Sequence, residues 1–407
     1  MSSTRRSFIQ SCAASSAAIA IGASSPKFLS SLASAAEAAT SDNILVVLQL
    51  TGGNDGLNTI VPFKDEAYKK ARPKLAIAAD KVLKINDDLG FHPSLRGLSK
   101  LLESGKLAIV QGVGYPQPNR SHFESMDIWH TCTRKGGPRQ SGWLGRYLDG
   151  LKDHETAGIH LGEDKQPLAI VADKARCPSI SSPEKFRLQD GGAPEVKEAI
   201  TQNANAQREN KGDLLSFLQT STTSALSASE RISKALEAPS RGTSYPDHAL
   251  GKKFKTAAQL IAAEMPTRVY YFDLDGFDTH AQQPDAHAGL LNQFGSSVEA
   301  FIDDLAKMGQ SKRVTVMAFS EFGRRVGENA SDGTDHGAAG PMFLIGDQVK
   351  SGLIGELPSL TDLDDGDLKF KIDFRQVYAA ILKDWLKADA TELLGGKYEP
   401  VMLFRGT

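Results

Sequence analysis

Ile44-Leu-Val-Val-Leu-Gln-Leu50, running into Thr51-Gly-Gly-Asn-Asp-Gly56, is the stretch that decides the fold. An unbroken apolar run of this length, closed by glycines, predicts a strand buried on both faces, as in a parallel sheet. Outward from it the pattern repeats. A helix is expected from about Ser94, whose hydroxyl is placed to cap it, to Gly105, placed to end it. Lys106-Leu-Ala-Ile-Val-Gln-Gly-Val-Gly114 reads as the next strand, and Ser121-His-Phe-Glu124 opens another helix. Arg268-Val-Tyr-Tyr-Phe-Asp-Leu274 is a third strand, ending at Asp275-Gly-Phe-Asp-Thr-His280. Leu290, Leu291, Phe294, Val298, Phe301, Ile302 and Leu305 then recur at helical spacing, and Gly309 stops that helix. Arg313-Val-Thr-Val-Met-Ala-Phe319 is a strand emptying into Ser320-Glu-Phe-Gly-Arg324, and Pro341-Met-Phe-Leu-Ile345 is one more. The last helix starts at Asp373, with Gln376 completing a capping box, and buries Val377, Ile381, Leu382 and Trp385. Strand and helix in alternation predict a doubly wound α/β sheet.

Two regions break this rhythm. From about 181 to 266 the sequence is polar and rich in Ala, Ser and Gln, with helical propensity and little strand character. It reads as a helical insertion on the sheet, either a lid or a plain helical layer. At the other end, Thr4-Arg-Arg-Ser-Phe-Ile-Gln10 sets paired arginines before a weakly apolar Ala/Ser stretch, with small-residue cleavage candidates at Ala33-Ser-Ala35 and Ala36-Glu-Ala38. Residues 1–39 therefore read as a twin-arginine signal peptide, and 40–407 as the mature domain. The expected partner during export is the twin-arginine translocase, and the expected location is periplasmic or extracellular.

Of 47 basic and 49 acidic residues, cleavage removes Arg5, Arg6, Lys27 and Glu37, leaving a mildly acidic chain. That balance gives no electrostatic reason for nucleic acid or an anionic membrane as partner. No later segment is apolar enough for a transmembrane anchor in the mature form. Cys132 and Cys177 allow one disulfide but define neither a disulfide scaffold nor a zinc finger.

In open α/β sheets, ligands collect at the carboxyl ends of the strands. The first strand end delivers Asn54, Asp55 and Asn58, and the second Asn119, Arg120, Ser121 and His122. Asp278 and His280 follow the third strand, and Glu321, Arg324, Asp335 and His336 follow the fourth. Carboxylates and imidazoles bind divalent metals, a pair of which activates a hydroxyl and neutralises a leaving oxygen. A serine at a helix N-terminus and a guanidinium fork both suit an oxyanion. Together these groups point to hydrolysis of a phosphate or sulfate ester.

Five ordered motifs, Gly52-Gly-Asn-Asp-Gly-Leu-Asn58, Asn119-Arg-Ser-His-Phe123, Phe277-Asp-Thr-His280, Ser320-Glu-Phe-Gly-Arg324 and Gly333-Thr-Asp-His-Gly337, resemble one exported bacterial family. It is domain-of-unknown-function family 1501, grouped with the alkaline-phosphatase-like superfamily of phosphatases and sulfatases. The resemblance spans nearly the whole mature chain. It implies a three-layer α/β/α fold, alkaline-phosphatase-like, with a mostly parallel central sheet. It also implies divalent metal ions, possibly two (Ca, Mg, Mn or Zn), and a small-molecule or glycan ester as substrate. By position, Asp55 resembles the metal ligand after the first strand, and Ser121 the nucleophile at a helix start. Asp278 and His280 resemble an Asp/His ligand pair, and His336 the last histidine ligand. Glu321 falls where an Asp-His pair is usual, and this loss of an imidazole leans the site towards Ca²⁺, Mg²⁺ or Mn²⁺. No Cys/Ser-x-Pro-x-Arg element surrounds Ser121, so a formylglycine nucleophile is not implied.

The expectation is an exported metal-dependent hydrolase. Asp55, Asp278, His280, Glu321, Asp335 and His336 are its candidate ligands, Ser121 its nucleophile, and Arg120 or Arg324 the holder of the anion. The alternative is a non-catalytic exported metal- or ligand-binding protein on the same fold. Plainer readings stand beside these assignments. Ser121 and Glu124 make a capping-box pattern, Asp55 and Asp335 suit turns, and Glu321 with Arg324 suits a surface ion pair. His92, His122 and His130 read as packing or hydrogen-bonding residues, with His92 also a candidate for the cleft wall.

Overall fold

The computed structural model describes residues 42–152, 156–163, 165–181, 227–236 and 243–406. The export signal read at 1–39 lies outside them, as do 182–226 and 237–242 of the helical insertion.

Every residue of β1 (Ile44–Leu50) is buried, as an apolar run with no polar face requires. The strands that join it are β2 (Leu107–Gly114), β3 (Gly158–Leu161), β4 (Ser179–Ile180) and β5 (Val269–Leu274). They are followed by β6 (Val314–Phe319), β7 (Gly340–Ile345), β8 (Gly352–Ile354) and β9 (Ile372–Asp373). The order across the sheet is β8-β2-β7-β6-β1-β5-β3-β4, with β9 also pairing β2. β1 lies parallel between β5 and β6, with Leu45 opposite Val269 on one side and Thr315 on the other. β3, β4, β8 and β9 extend the same direction. Only β7 is reversed, antiparallel to both β2 and β6. The 20-odd residues between β6 and β7 therefore leave and return at one rim, with no crossover to the far edge.

Alternation along β1 splits the core in two. Ile44, Val46, Leu48 and Leu50 face one apolar layer, and Leu45 and Val47 the other. The first layer is completed by helices α1 (Arg96–Glu103), α4 (Ala249–Ala262) and α5 (Gln283–Lys307), the second by α2 (His122–Thr131), α3 (Trp143–Asp149) and α6 (Phe374–Ala380). The result is the three-layer α/β/α sandwich with a mostly parallel central sheet. Gly97 lets α1 cross α5 closely, since a Cβ there would meet the Gly295 carbonyl oxygen at 2.2 Å.

Local signals worked unevenly. The Asp373–Gln376 capping box forms, and Gly309 ends α5's last turn at a positive φ. Ser94 does not cap α1. The N-cap is Leu95, and the Ser94 amide instead donates to His92 Nδ1 at 3.0 Å, which builds a turn ahead of the helix. In the stretch 181–266, a helix over 227–236 sends Ile232 and Ala235 into the first core, and α4 packs there as well. Cys132 and Cys177 are both free thiols, pushed up to about 12 by burial. Among the described residues no helix is long and apolar enough to cross a membrane.

Candidate metal centre

The rim above β1, β5 and β6 is drawn together by backbone contact before any side chain acts. Gly52 and Gly53 both take positive φ, and a Cβ on Gly52 would lie 2.4 Å from the Asp278 amide nitrogen. Only glycine lets the β1 end come this near to the β5 end. The Gly52 amide then donates to Glu321 Oε1 at 2.9 Å, tying in the β6 end.

On that platform three imidazoles converge on one carboxylate. Asp278 Oδ1 lies 3.0 Å from His336 Nε2 and 3.1 Å from His280 Nε2, and Oδ2 lies 3.4 Å from His122 Nε2. Donor atoms of His122, Asp278 and His336 all fall within 4.8 Å of one another. The far nitrogen of each ring is already engaged by oxygen. His122 Nδ1 donates to Glu321 Oε1 at 2.8 Å, His336 Nδ1 to the Arg120 carbonyl at 2.8 Å, and His280 Nδ1 to Asp335 Oδ1 at 3.2 Å. A carbonyl or carboxylate only accepts, so each of these acceptors holds a proton on Nδ1 and turns Nε2 towards Asp278. His280 Nε2 and His336 Nε2 lie 2.9 Å apart, with the Asp278 carboxylate alongside. His122 Nε2 is buried without a hydrogen-bond partner. Such crowding of acceptors is stable only around a proton or a cation. Imidazole backed by an oxygen acceptor is also how proteins orient histidine ligands of a metal.

The charges agree with that arrangement. Burial works against ionisation of Asp278, but hydrogen bonds from Arg324 and His336 outweigh it and hold the carboxyl down at about 2. The hydrogen bond it donates to Glu321 raises His122 above its ordinary value. Asp335 is lowered, chiefly by the Asn329 amide and then by His280.

Asp278, His280 and His336 thus come together as the sequence indicated. Glu321 and Asp335 stand one step behind, orienting His122 and His280 rather than facing the centre themselves. Glu321 is fully buried, so it is no surface ion-pair residue. Asp55 joins a separate network: its Oδ2 receives Arg72 Nη1 at 2.6 Å and Gln283 Nε2 at 2.5 Å, while Oδ1 is buried without a partner. Burial opposes its ionisation, and the Arg72 charge wins, leaving its carboxyl below the ordinary value.

Neither arginine is available to hold an anion. Arg120 pairs with Asp367 at 2.7 Å and Asp365 at 3.1 Å, and Arg324 is buried among backbone carbonyls and Asp278. Ser121 is the exposed N-cap of α2, but its hydroxyl makes no capping bond. The capping box fails because Glu124 is held by Arg139 at 2.6 Å.

His122 was the residue missed. It sits in the first turn of a helix after a strand end, a place where its neighbour Ser121 drew the reading. The available signal was Asn119-Arg-Ser-His122 itself, an imidazole at the rim where the other ligands gather. With it the donor set is three imidazoles and a carboxylate. The lean to hard cations rested on a lost imidazole, and His122 supplies one.

Compared with known proteins, residues 42–385 match the family described as "Protein of unknown function (DUF1501)". No curated protein matches the chain. Solved structures with a similar chain path include a protein in the alkaline phosphatase superfamily from Vibrio parahaemolyticus, 8% identical, covering 78% of this chain and 63% of that one at a TM-score of 0.37. The C-terminal periplasmic domain of EcEptC from Escherichia coli, in complex with Zn, is 11% identical over 76% of this chain and 75% of that one, at 0.36. Phosphonate monoester hydrolase SpPMH from Silicibacter pomeroyi is 10% identical over 87% and 75%, at 0.37. Likeness at this level carries nothing about the chemistry of the site.

Proposed function

We propose, from the premise that the chain belongs to the DUF1501 family, that this protein is a metal-dependent hydrolase of phosphate or sulfate esters. The observation that carries the reading is the set of three oriented imidazoles whose Nε2 atoms surround Asp278. His122, Asp278, His280 and His336 would hold a divalent ion, and this nitrogen-rich set suits a borderline metal such as Zn²⁺. When bound, such an ion polarises an ester oxygen and eases ionisation of a hydroxyl beside it.

The chain's own residues supply the rest. Ser121, exposed and free of any capping bond, is the nucleophile next to ligand His122. Its Oγ gives up its proton and forms the new bond to phosphorus or sulfur as the bond to the leaving oxygen breaks and that oxygen takes a proton. Water then cleaves the Ser121 ester, releasing phosphate or sulfate and restoring the hydroxyl. Because no side chain caps α2, its first-turn amides are open to the oxygens of the anion, with the helix dipole favouring negative charge. They replace the arginines that the sequence suggested.

Aryl phosphates and sulfates assayed with Zn²⁺, Mn²⁺, Mg²⁺ and Ca²⁺ test the reading. Ser121→Ala is expected to abolish turnover and keep the metal content, and unchanged hydrolysis removes the nucleophile. A second reading, a non-catalytic metal-binding protein, is favoured by the commitment of both Arg120 and Arg324 to internal partners. Bound metal with no turnover on any ester supports it. Export by the twin-arginine route, supported by Thr4-Arg5-Arg6-Ser7-Phe8, predicts that a Lys-Lys replacement of Arg5 and Arg6 retains the protein in the cytoplasm.

A further inference from the structure

Arg324 is only 1% exposed, yet it carries a full charge at the edge of the candidate metal centre. Its Nε donates to the Gly53 carbonyl at 2.6 Å and Nη1 to the Thr334 carbonyl at 2.8 Å. Nη2 reaches the Phe277 carbonyl at 3.0 Å, Asp278 Oδ1 at 2.7 Å and the Gly52 carbonyl. Five oxygens from three rim segments therefore enclose one guanidinium. An all-oxygen cage with a shared carboxylate is the surrounding that a hard divalent cation takes. Asp278 Oδ1, which closes the cage, also faces His280 and His336.

We infer that Arg324 is the built-in second cation of this centre: its guanidinium fills an oxygen-lined slot that shares Asp278 with the imidazole ligands, so the centre takes one divalent ion and not a pair. The inference rests on the metal-binding reading above. Arg324 is a positioning residue here. It holds Asp278 turned to the imidazoles, and it occupies the place from which a second ion would share that carboxylate. A covalently tethered cation does not wash out, so this half of the centre does not depend on metal supply.

The test is ion stoichiometry. Metal-free protein is titrated with Zn²⁺ and then Ca²⁺ by calorimetry, with elemental analysis after gel filtration. Wild type is expected to hold one Zn²⁺ and no Ca²⁺. Arg324→Ala, which empties the slot, is expected to gain a Ca²⁺ site, and methylguanidinium is expected to raise its melting temperature but not that of wild type. Two divalent ions in wild type, or a folded Arg324→Ala that responds to neither Ca²⁺ nor methylguanidinium, overturns the inference while leaving the metal reading intact. No ion in wild type overturns the metal reading and the inference together. Should Arg324→Ala fail to fold, Arg324→Lys, whose ammonium cannot span all five oxygens, takes its place, and the wild-type count still decides.

Discussion

Asp55 and Asp278 stand at the ends of adjacent parallel strands, and the two carboxylates are put to opposite uses. Asp55 is sealed inside the protein, its charge met by Arg72, which also donates to Asn58 and to the carbonyls of Val326 and Arg325. Asp278 stands half in solvent: Arg324 meets it from within, and three imidazoles ring its open side with their Nε2 atoms. The contrast teaches that a strand-end carboxylate does not declare its use by position. A carboxylate sealed in with its guanidinium is structural, whereas one that keeps an open side lined by imidazoles has a place for a cation from outside.

The sharpest way to break the contrast is to remove the internal cation. Arg72→Met strands a buried carboxylate and is expected to cost about 3–5 kcal/mol in urea unfolding. Asp278→Asn, whose amide oxygen can still accept from the buried Arg324, is expected to cost less in the same experiment and to lose its metal. If the two variants unfold alike, the division between the regions is wrong.

Next comes the support behind the ligands. Glu321→Gln keeps the shape but weakens the acceptor on His122 Nδ1, and a loss of roughly 10–100-fold in metal affinity is expected. Competition with a chromophoric chelator measures it. An unchanged affinity would mean that His122 is no ligand.

Acid sharpens the comparison from the Asp55 side. Its pKa is lower in the folded protein than the ordinary 3.8, so the stabilisation it contributes is present above that value. It is lost as pH falls through the lowered folded value, because the unfolded chain binds the proton first. Melting temperatures of the metal-free protein, taken from about pH 5 downwards, should fall less steeply for Asp55→Asn than for wild type. Equal slopes would show that another carboxylate controls the acid limb.

The smallest effect is expected one layer further back from the imidazoles. Ser125 Oγ donates to the Glu321 carbonyl at 2.6 Å and lies 2.8 Å from the Tyr115 hydroxyl, beneath the loop that carries Ser121. Ser125→Ala should cost about 1 kcal/mol in stability. It should also weaken metal binding less than Glu321→Gln does, as the same chelator competition will show.

The sequence by itself determined five of the nine strands of the sheet, the long helix ended by Gly309, the capping box at Asp373, and three of the side chains that cluster at the rim, Asp278, His280 and His336. These are short-range properties. Apolar periodicity selects strand or helix, a glycine or a cap ends it, and a residue just after a strand lies at the rim of the sheet. Only the tertiary structure decided which rim groups meet. The reversed β7 brings Asp335 and His336 back to the rim that Glu321 leaves from, and periodicity does not distinguish a reversed buried strand from a parallel one. His122 finds Glu321 across 199 residues, Arg324 finds the Gly52 and Phe277 carbonyls, and Asp55 is claimed by Arg72. Electrostatic partners are chosen by distance and burial in space, and both are set by strand order and register, on which the linear order of the residues is silent.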